Sequence, residues 1–325
     1  MTLQDEKILF TGLTGQIGFP MASYLAETNE VWGLARYSDE QMRDRVAAAG
    51  ITPVQADLAA GDFAEVPTDF TYLVHLAAFQ GPSDDYDWAI QVNAEGTGLL
   101  MQHCASVKAA LVASTFSVYK PNPDPYYAYV ESDPLGDCHA LHSPPYSMSK
   151  IAQEAAARTM ARAFDIPTTI ARINASYSTH GGLPAYQLDW LMNDQPVGCR
   201  APAPTPYNPI HQDDMNAMVA PLLDAASVPT TIVNWCGDET VTVEEWCTHM
   251  AELAGKQVEF TYTEYPGAPP GGAGDPTKRQ SLTGPCSVTW RDGMTRLFET
   301  RYPQGQLAEG VRAANAALTK AYDTD

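Results

Sequence analysis

Three glycines at a three-residue spacing, Gly12, Gly15 and Gly18, sit between a short apolar run at 7–11 and a helical pattern that continues to about residue 27. No other feature limits the possible folds so tightly. Glycine lets a backbone turn sharply and approach a ligand, and the N–H groups at the start of a helix, with its dipole, favour an anion such as a pyrophosphate. The same residues also suit a tight turn with packing glycines, so the pattern around them has to decide.

That pattern repeats strand and helix through the first half. Strands are predicted at 31–35, 52–55, 72–76, 110–113 and 168–171, with helices at 39–49, 86–107 and 146–164 between them. Such alternation predicts an α/β chain, a Rossmann-type doubly wound parallel sheet. Beyond residue 175 the regularity fails. Segments 200–209 and 265–276, rich in proline and glycine, read as loops, the second as a flexible loop on the substrate side. Between them come strands near 231–234 and 258–262 and a helix near 243–253, and a helix is expected from 304 to 321. We therefore divide the chain into a dinucleotide-binding domain with the catalytic residues, 1–175, and a smaller C-terminal substrate-binding part, 176–325, intertwined with the first.

Charge narrows the partners. The 39 acidic and 19 basic side chains leave a formal charge of −20, which repels nucleic acid and anionic membranes. No apolar run reaches the length of a membrane span, and no signal-peptide pattern opens the chain, so a cytoplasmic protein is expected. Six scattered cysteines without a C-x-x-C pair indicate neither a disulfide framework nor a zinc ribbon, and the histidines lack metal-ligand spacing, so no metal is expected.

Tyr146 and Lys150 lie four residues apart at the start of a helix, on one face. A free phenol has a pKa of about 10, and a neighbouring ammonium lowers it by favouring the phenolate. Tyr146 can then serve as general acid in carbonyl reduction or as base in alcohol oxidation.

These pieces, in order, resemble the extended short-chain dehydrogenases of the NAD-dependent epimerase/dehydratase family. The matching stretches are Thr11-Gly-Leu-Thr-Gly-Gln-Ile-Gly18, Ala56-Asp57-Leu58, His75-Leu-Ala-Ala78, Asn93, Ser114-Thr-Phe-Ser-Val-Tyr119 and Tyr146-Ser-Met-Ser-Lys150, with Ile210-His-Gln-Asp-Asp-Met215 and Asp275-Pro-Thr-Lys278 later. The resemblance implies that the turn, including Gln16 and Ile17, holds the pyrophosphate and that Asp57 and Leu58 meet the adenine. It further implies that Leu76, Ala77 and Ala78 line the cofactor cleft and that Lys150 binds the nicotinamide ribose. Thr115 would hold the substrate oxygen near Tyr146, and Asn93 would support the lysine. A homodimer through the helices near 90–105 and 147–163 is also implied.

Cofactor choice turns on the end of the second strand, where an acidic residue usually binds the ribose 2′-OH of NAD. Here Ala35-Arg36 stands instead, and Arg36 suits a 2′-phosphate, so NADP(H) is expected, with NAD(H) possible. The main expectation is hydride transfer between the nicotinamide and a secondary alcohol or ketone of a small non-nucleotide substrate. The alternatives are a nucleotide-sugar 4-epimerase with tightly held NAD and a non-catalytic dinucleotide sensor. A 4,6-dehydratase is disfavoured, because the Asp-Glu pair used in eliminating water is replaced by Phe116-Ser117 after Thr115. Nucleotide sugars are disfavoured because Tyr207, Ser281 and Ala175 stand where the resemblance places two arginines and an asparagine. Asn174, Arg200 and Arg279 lie close enough in sequence to compensate.

Overall fold

The computed structural model describes residues 3–139 and 143–308. The first half runs β1 (Lys7–Thr11), α1 (Gly18–Ala26), β2 (Glu30–Ala35), α2 (Glu40–Ala48), β3 (Thr52–Gln55), β4 (Tyr72–His75), α3 (Tyr86–Ile90), a π-helical turn (Gln91–Glu95), α4 (Gly96–His103), β5 (Ala109–Thr115), α5 (Tyr146–Ala163) and β6 (Thr168–Ile173). Then follow β7 (Ser176–Ser178), β8 (Gly181–Gly182), α6 (Leu183–Met192), β9 (Val197–Arg200), β10 (Pro206–Tyr207), β11 (Ile210–His211), α7 (Gln212–Asp224), β12 (Thr231–Trp235), β13 (Val241–Thr242), α8 (Val243–Ala254), β14 (Phe260–Thr263), α9 (Thr277–Thr283) and α10 (Trp290–Arg301).

Seven strands form the main sheet in the order β12-β6-β5-β4-β1-β2-β3, every pair parallel. The central strands are apolar runs because both faces are covered. On one face Ile8, Phe10 and Val74 pack with Met21 and Leu25 of α1 and Met215, Val219 and Leu222 of α7. On the other, Leu9, Leu73 and Val112 pack with Leu100 and Met101 of α4 and Ala157 and Ala161 of α5. A third cluster, built on Leu188 of α6, Trp246 and Met250 of α8 and Leu297 of α10, forms the core of the C-terminal part.

The division near 175 is not a clean cut. Strand β12, from well beyond it, completes the main sheet against β6, and α7 covers the sheet's face. The helix expected over 86–107 is also interrupted: α3, the π-helical turn and α4 replace one continuous run. The helix expected from 304 falls mainly outside the described residues, and within them Pro303–Gly305 forms a 3-10 turn. The glycine-rich segment differs from the flexible loop expected. Residues 270–274 are buried, with Gly272 N–H donating to Pro206 O at 2.8 Å and Tyr129 N–H donating to Ala273 O at 3.0 Å. Glycine is needed there for close approach, since a Cβ at Gly274 would lie 2.4 Å from the Phe116 ring. Among the described residues no helix is long and apolar enough to cross a membrane.

Candidate active site

The glycine turn leaves β1 at the carboxyl edge of the sheet, beside β4, where the strand order reverses and open α/β folds bind ligands. Gly12 has φ 77°, and a Cβ there would stand 2.6 Å from the backbone of Leu76 and Ala77. A Cβ at Gly18 would lie 2.0 Å from Gly12 O, so both positions require glycine for the turn to close against β4. Gly15 N–H donates to Gly12 O at 3.1 Å and completes the turn. Helix α1 then starts at Gly18, with no side-chain cap from Ile17 before it, which fits a helix end whose N–H groups meet a phosphate. The C-terminal part clamps the turn: Tyr186 donates to Gln16 Oε1 at 2.7 Å and Gln212 donates to Ile17 O at 3.3 Å.

The other residues expected to meet the cofactor are distributed unevenly. Arg36 is exposed just past β2, its carbonyl accepting from Gln55 Nε2 at 2.8 Å. Asp57 caps its own turn, accepting from Ala59 N–H at 2.9 Å. Leu58 is only 8% exposed and packs into the core under α4, so its side chain serves the fold rather than an open adenine surface. Leu76 and Ala77 are half-buried beside the turn, and Ala78 is exposed. The close turn, the uncapped helix and the neutral, small residues opposite it fit a dinucleotide.

Thr115 ends β5, and Tyr146 opens α5, which packs against the short 3-10 turn Phe116–Val118 that follows Thr115. The Thr115 hydroxyl caps that turn, accepting from Ser117 N–H at 3.2 Å, and is 9% exposed at the site edge. Ser114, the hydroxyl next to it in sequence, points the other way: it is buried and donates to Glu154 Oε1 at 2.6 Å. Lys150 is 2% exposed and donates to Ala113 O at 2.8 Å, which ties α5 to β5. Burial pulls its pKa from 10.5 down to about 7, against the opposing charge of Glu154.

Asn93 sits in the π-helical turn, where the widened backbone aims its side chain at the neighbouring loop. It accepts from Phe79 N–H at 2.6 Å and donates to Phe79 O at 3.1 Å and Ser149 Oγ at 2.9 Å. Asn93 thus joins the loop after β4 to the first turn of α5, which also carries Lys150. His75, to which the sequence reading gave no role, lies 2.6 Å from Thr11 Oγ1 and 2.7 Å from Thr97 Oγ1. The Thr97 hydroxyl spends its hydrogen on Asn93 O at 2.6 Å, so His75 Nε2 must donate and Nδ1 accept from Thr11. Burial and the Lys150 charge push the His75 pKa down to about 3, so this bridge is neutral.

Also unforeseen is a buried ion pair, Arg172 Nη2 to Glu154 Oε2 at 2.8 Å, behind the catalytic edge. Its signal was available: an arginine inside the strand pattern Thr-Thr-Ile-Ala-Arg-Ile and an acid one helical turn after Lys150. On the substrate side the compensating groups are engaged. Arg279 is fully buried, paired with Asp238 and donating to Gly284 O at 2.8 Å. Asn174 donates to Gly272 O at 2.6 Å and accepts from Ala175 and Asn208 N–H groups. Arg200 donates to Pro269 O at 2.9 Å. Among the described residues no cluster of His, Cys, Asp and Glu is arranged to hold a metal ion.

Comparison with curated proteins by sequence finds no match. Solved structures do match in fold. A UDP-glucuronic acid 4-epimerase from Bacillus cereus, in complex with UDP-glucuronic acid and NAD, is 19% identical, covers 90% of this chain and 98% of its own, and superposes with a TM-score of 0.76. A UDP-N-acetylglucosamine 4-epimerase from Methanobrevibacter ruminantium, in complex with UDP-N-acetylmuramic acid, gives 16% identity, 91% and 98% coverage and a TM-score of 0.77. A dTDP-glucose 4,6-dehydratase from Bacillus anthracis, in complex with NAD, gives 17%, 90%, 96% and 0.74. Identities this low speak to the fold alone. The family profile described as the NAD dependent epimerase/dehydratase family matches residues 8–191, which span the glycine turn, Thr115, Tyr146 and Lys150. The chain therefore belongs to the NAD-dependent epimerase/dehydratase family and is an enzyme of the extended short-chain dehydrogenase type.

Proposed function

We propose that the protein is a nucleotide-sugar 4-epimerase that oxidises a secondary carbinol of its substrate and reduces the resulting ketone again on the opposite face. NAD, when bound, supplies the hydride acceptor and later the donor. Tyr146 takes the hydroxyl proton as the hydride leaves and gives a proton back on its return, so no proton or electron is gained overall. Lys150 favours the phenolate form of Tyr146 and binds the ribose of the nicotinamide. Thr115 holds the substrate oxygen, and Asn93 steadies the loop and helix turn around Lys150.

The observation that carries this reading is the set Thr115, Tyr146 and Lys150 at the carboxyl edge beside the glycine turn, with Phe116-Ser117 after the threonine. The resemblance places the acid and base for elimination of water at those two positions, which argues against dehydration. The UDP-sugar complexes of structural neighbours support the substrate class.

A second reading is a dehydrogenase of a small non-nucleotide alcohol or ketone, favoured by the substrate side. Arg279 and Asn174 are committed to the protein itself, which leaves few donors for a diphosphate. For the dinucleotide, neighbour complexes favour NAD(H), whereas the exposed Arg36 favours NADP(H).

The test is incubation with a panel of UDP, dTDP and GDP sugars, with products resolved by NMR and reduced nicotinamide followed by absorbance. Epimer formation without accumulating reduced nicotinamide supports the proposal. Stoichiometric reduction of the nicotinamide by small alcohols, without binding of any nucleotide sugar, overturns it in favour of the second reading.

A further inference from the structure

Tyr146, Lys150 and Glu154 follow one another at four-residue intervals on one face of α5. Glu154 is 2% exposed, an unusual place for an acid. Its oxygens are fully engaged: Oε1 accepts from the Ser114 hydroxyl at 2.6 Å and from Arg172 Nε at 2.9 Å, and Oε2 accepts from Arg172 Nη2 at 2.8 Å. Arg172, equally buried, donates its remaining end to Glu131 O at 3.0 Å and lies 4.8 Å from the centre of the Tyr119 ring. A buried pair like this commonly gives no more stability than an apolar replacement. Its position is more telling, because Ser114 precedes Thr115 and Glu154 follows Lys150 by one turn.

We propose that Glu154 is a positioning residue for the hydride-transfer chemistry: along α5 it favours the ammonium form of Lys150 at the site of Tyr146, and through Ser114 it fixes the strand end that carries Thr115. The proposal rests on the assigned reaction for its consequence but not for its test.

Lys150 has left water almost completely, and burial lowers its pKa while Glu154 raises it. The groups facing it from the surrounding elements are few. Strand β5 presents the Ala113 carbonyl and no charged side chain. Strand β4 presents His75, neutral within its two hydrogen bonds. Helix α5 itself contributes Tyr146 and Glu154, and β6 contributes Arg172, whose charge opposes that of the lysine. The acids of α3 and the π-helical turn, Asp87 and Glu95, are exposed. Glu154 is thus the carboxylate that opposes the loss of the Lys150 proton. Arg172 and Ser114 draw off part of its charge and set how firmly it does so.

Glu154→Gln keeps the shape, removes the charge and leaves Arg172 uncompensated. Lys150 should then titrate about 1 pH unit lower or more. Ser114→Ala removes a donor from Oε1, concentrates the carboxylate charge, and should move Lys150 the other way. The measurement is NMR of protein carrying 13C at lysine Cε, followed across pH without substrate, with Lys150→Met identifying the signal. Because it reads the lysine directly, it stands or falls apart from the assigned reaction. Once a substrate is in hand, Glu154→Gln should also shift the alkaline limb of kcat to lower pH with KM little changed. Opposite displacements of the Lys150 signal in the two variants support the proposal. An unmoved signal in either, or displacement of both in one direction, overturns it. If Glu154→Gln does not fold, Ser114→Ala decides alone: an upward displacement supports the proposal and any other result refutes it.

Discussion

Replacing Lys150 by methionine should stabilise the cofactor-free protein at acid pH while removing its activity. Lys150 is 2% exposed, and burial brings its pKa from 10.5 to about 7. At about 1.4 kcal/mol per pH unit, keeping it charged in the folded state costs about 5 kcal/mol at the acid end. Methionine avoids that cost but leaves the Ala113 carbonyl unpaired, for a loss of about 1–3 kcal/mol. A net gain of about 2–4 kcal/mol is expected near pH 6. The sign follows from proton binding: between about 7 and 10.5 the unfolded chain holds the lysine proton and the folded chain does not, so wild-type stability rises with pH. The advantage of the variant should therefore shrink by about 2 kcal/mol between pH 7 and 9. Urea unfolding followed by the fluorescence of buried Trp235 and Trp246 measures both proteins. A stability gap that stays constant across this pH range would refute the reasoning, and so would a variant less stable than wild type near pH 6.

Tyr146→Phe should lower turnover by about 10²–10⁴-fold with dinucleotide affinity nearly unchanged, measured by steady-state kinetics and fluorescence titration; retention of more than about a tenth of the activity would remove Tyr146 from its role. Arg36→Ala should weaken NADP(H) by about 1.5–3 kcal/mol and NAD(H) much less, and equal losses in calorimetric titration would make Arg36 a surface residue only. Gly18→Ala places a methyl against the Gly12 carbonyl, 2.0 Å away, and should cost about 1–3 kcal/mol of stability together with dinucleotide binding, read by thermal melts with and without NAD. Sedimentation should give a homodimer through α4 and α5, and a monomer at micromolar concentration would contradict that.

The half of the molecule that builds most of the parallel sheet was legible because its signals are local. The glycine turn, the alternation of strand and helix, and the spacing from Tyr146 to Lys150 each need only a few neighbouring residues. What escaped depends on distant partners. Leu58 lies within the matching motif, yet which way it faces is set by packing against α4, which pattern cannot reveal. The interruption at 91–95 coincides with hydrogen bonds between Asn93 and both Phe79 and Ser149, partners too distant in sequence for helix periodicity to register. The segment 265–276 has the composition of a mobile loop, but Pro206, Tyr129, Asn174 and Asn208 fix residues 272–274 through their hydrogen bonds. Strand β12 was found in the sequence, but its place in the main sheet came only with the pairing to β6. Glu154 and Arg172 lie 18 residues apart, and only the fold brings them together.

The central claim is that a hydride leaves and returns to one carbon of the substrate under the control of Tyr146. A UDP sugar carrying deuterium at C4, incubated with the holoenzyme in ordinary water and analysed by NMR and mass spectrometry, tests it directly. The account requires the epimeric product to keep its deuterium at C4, with a primary isotope effect on turnover and loss of both turnover and epimer in Tyr146→Phe. Exchange of the label into water would mean that the reaction proceeds by proton abstraction, and the account would then be wrong.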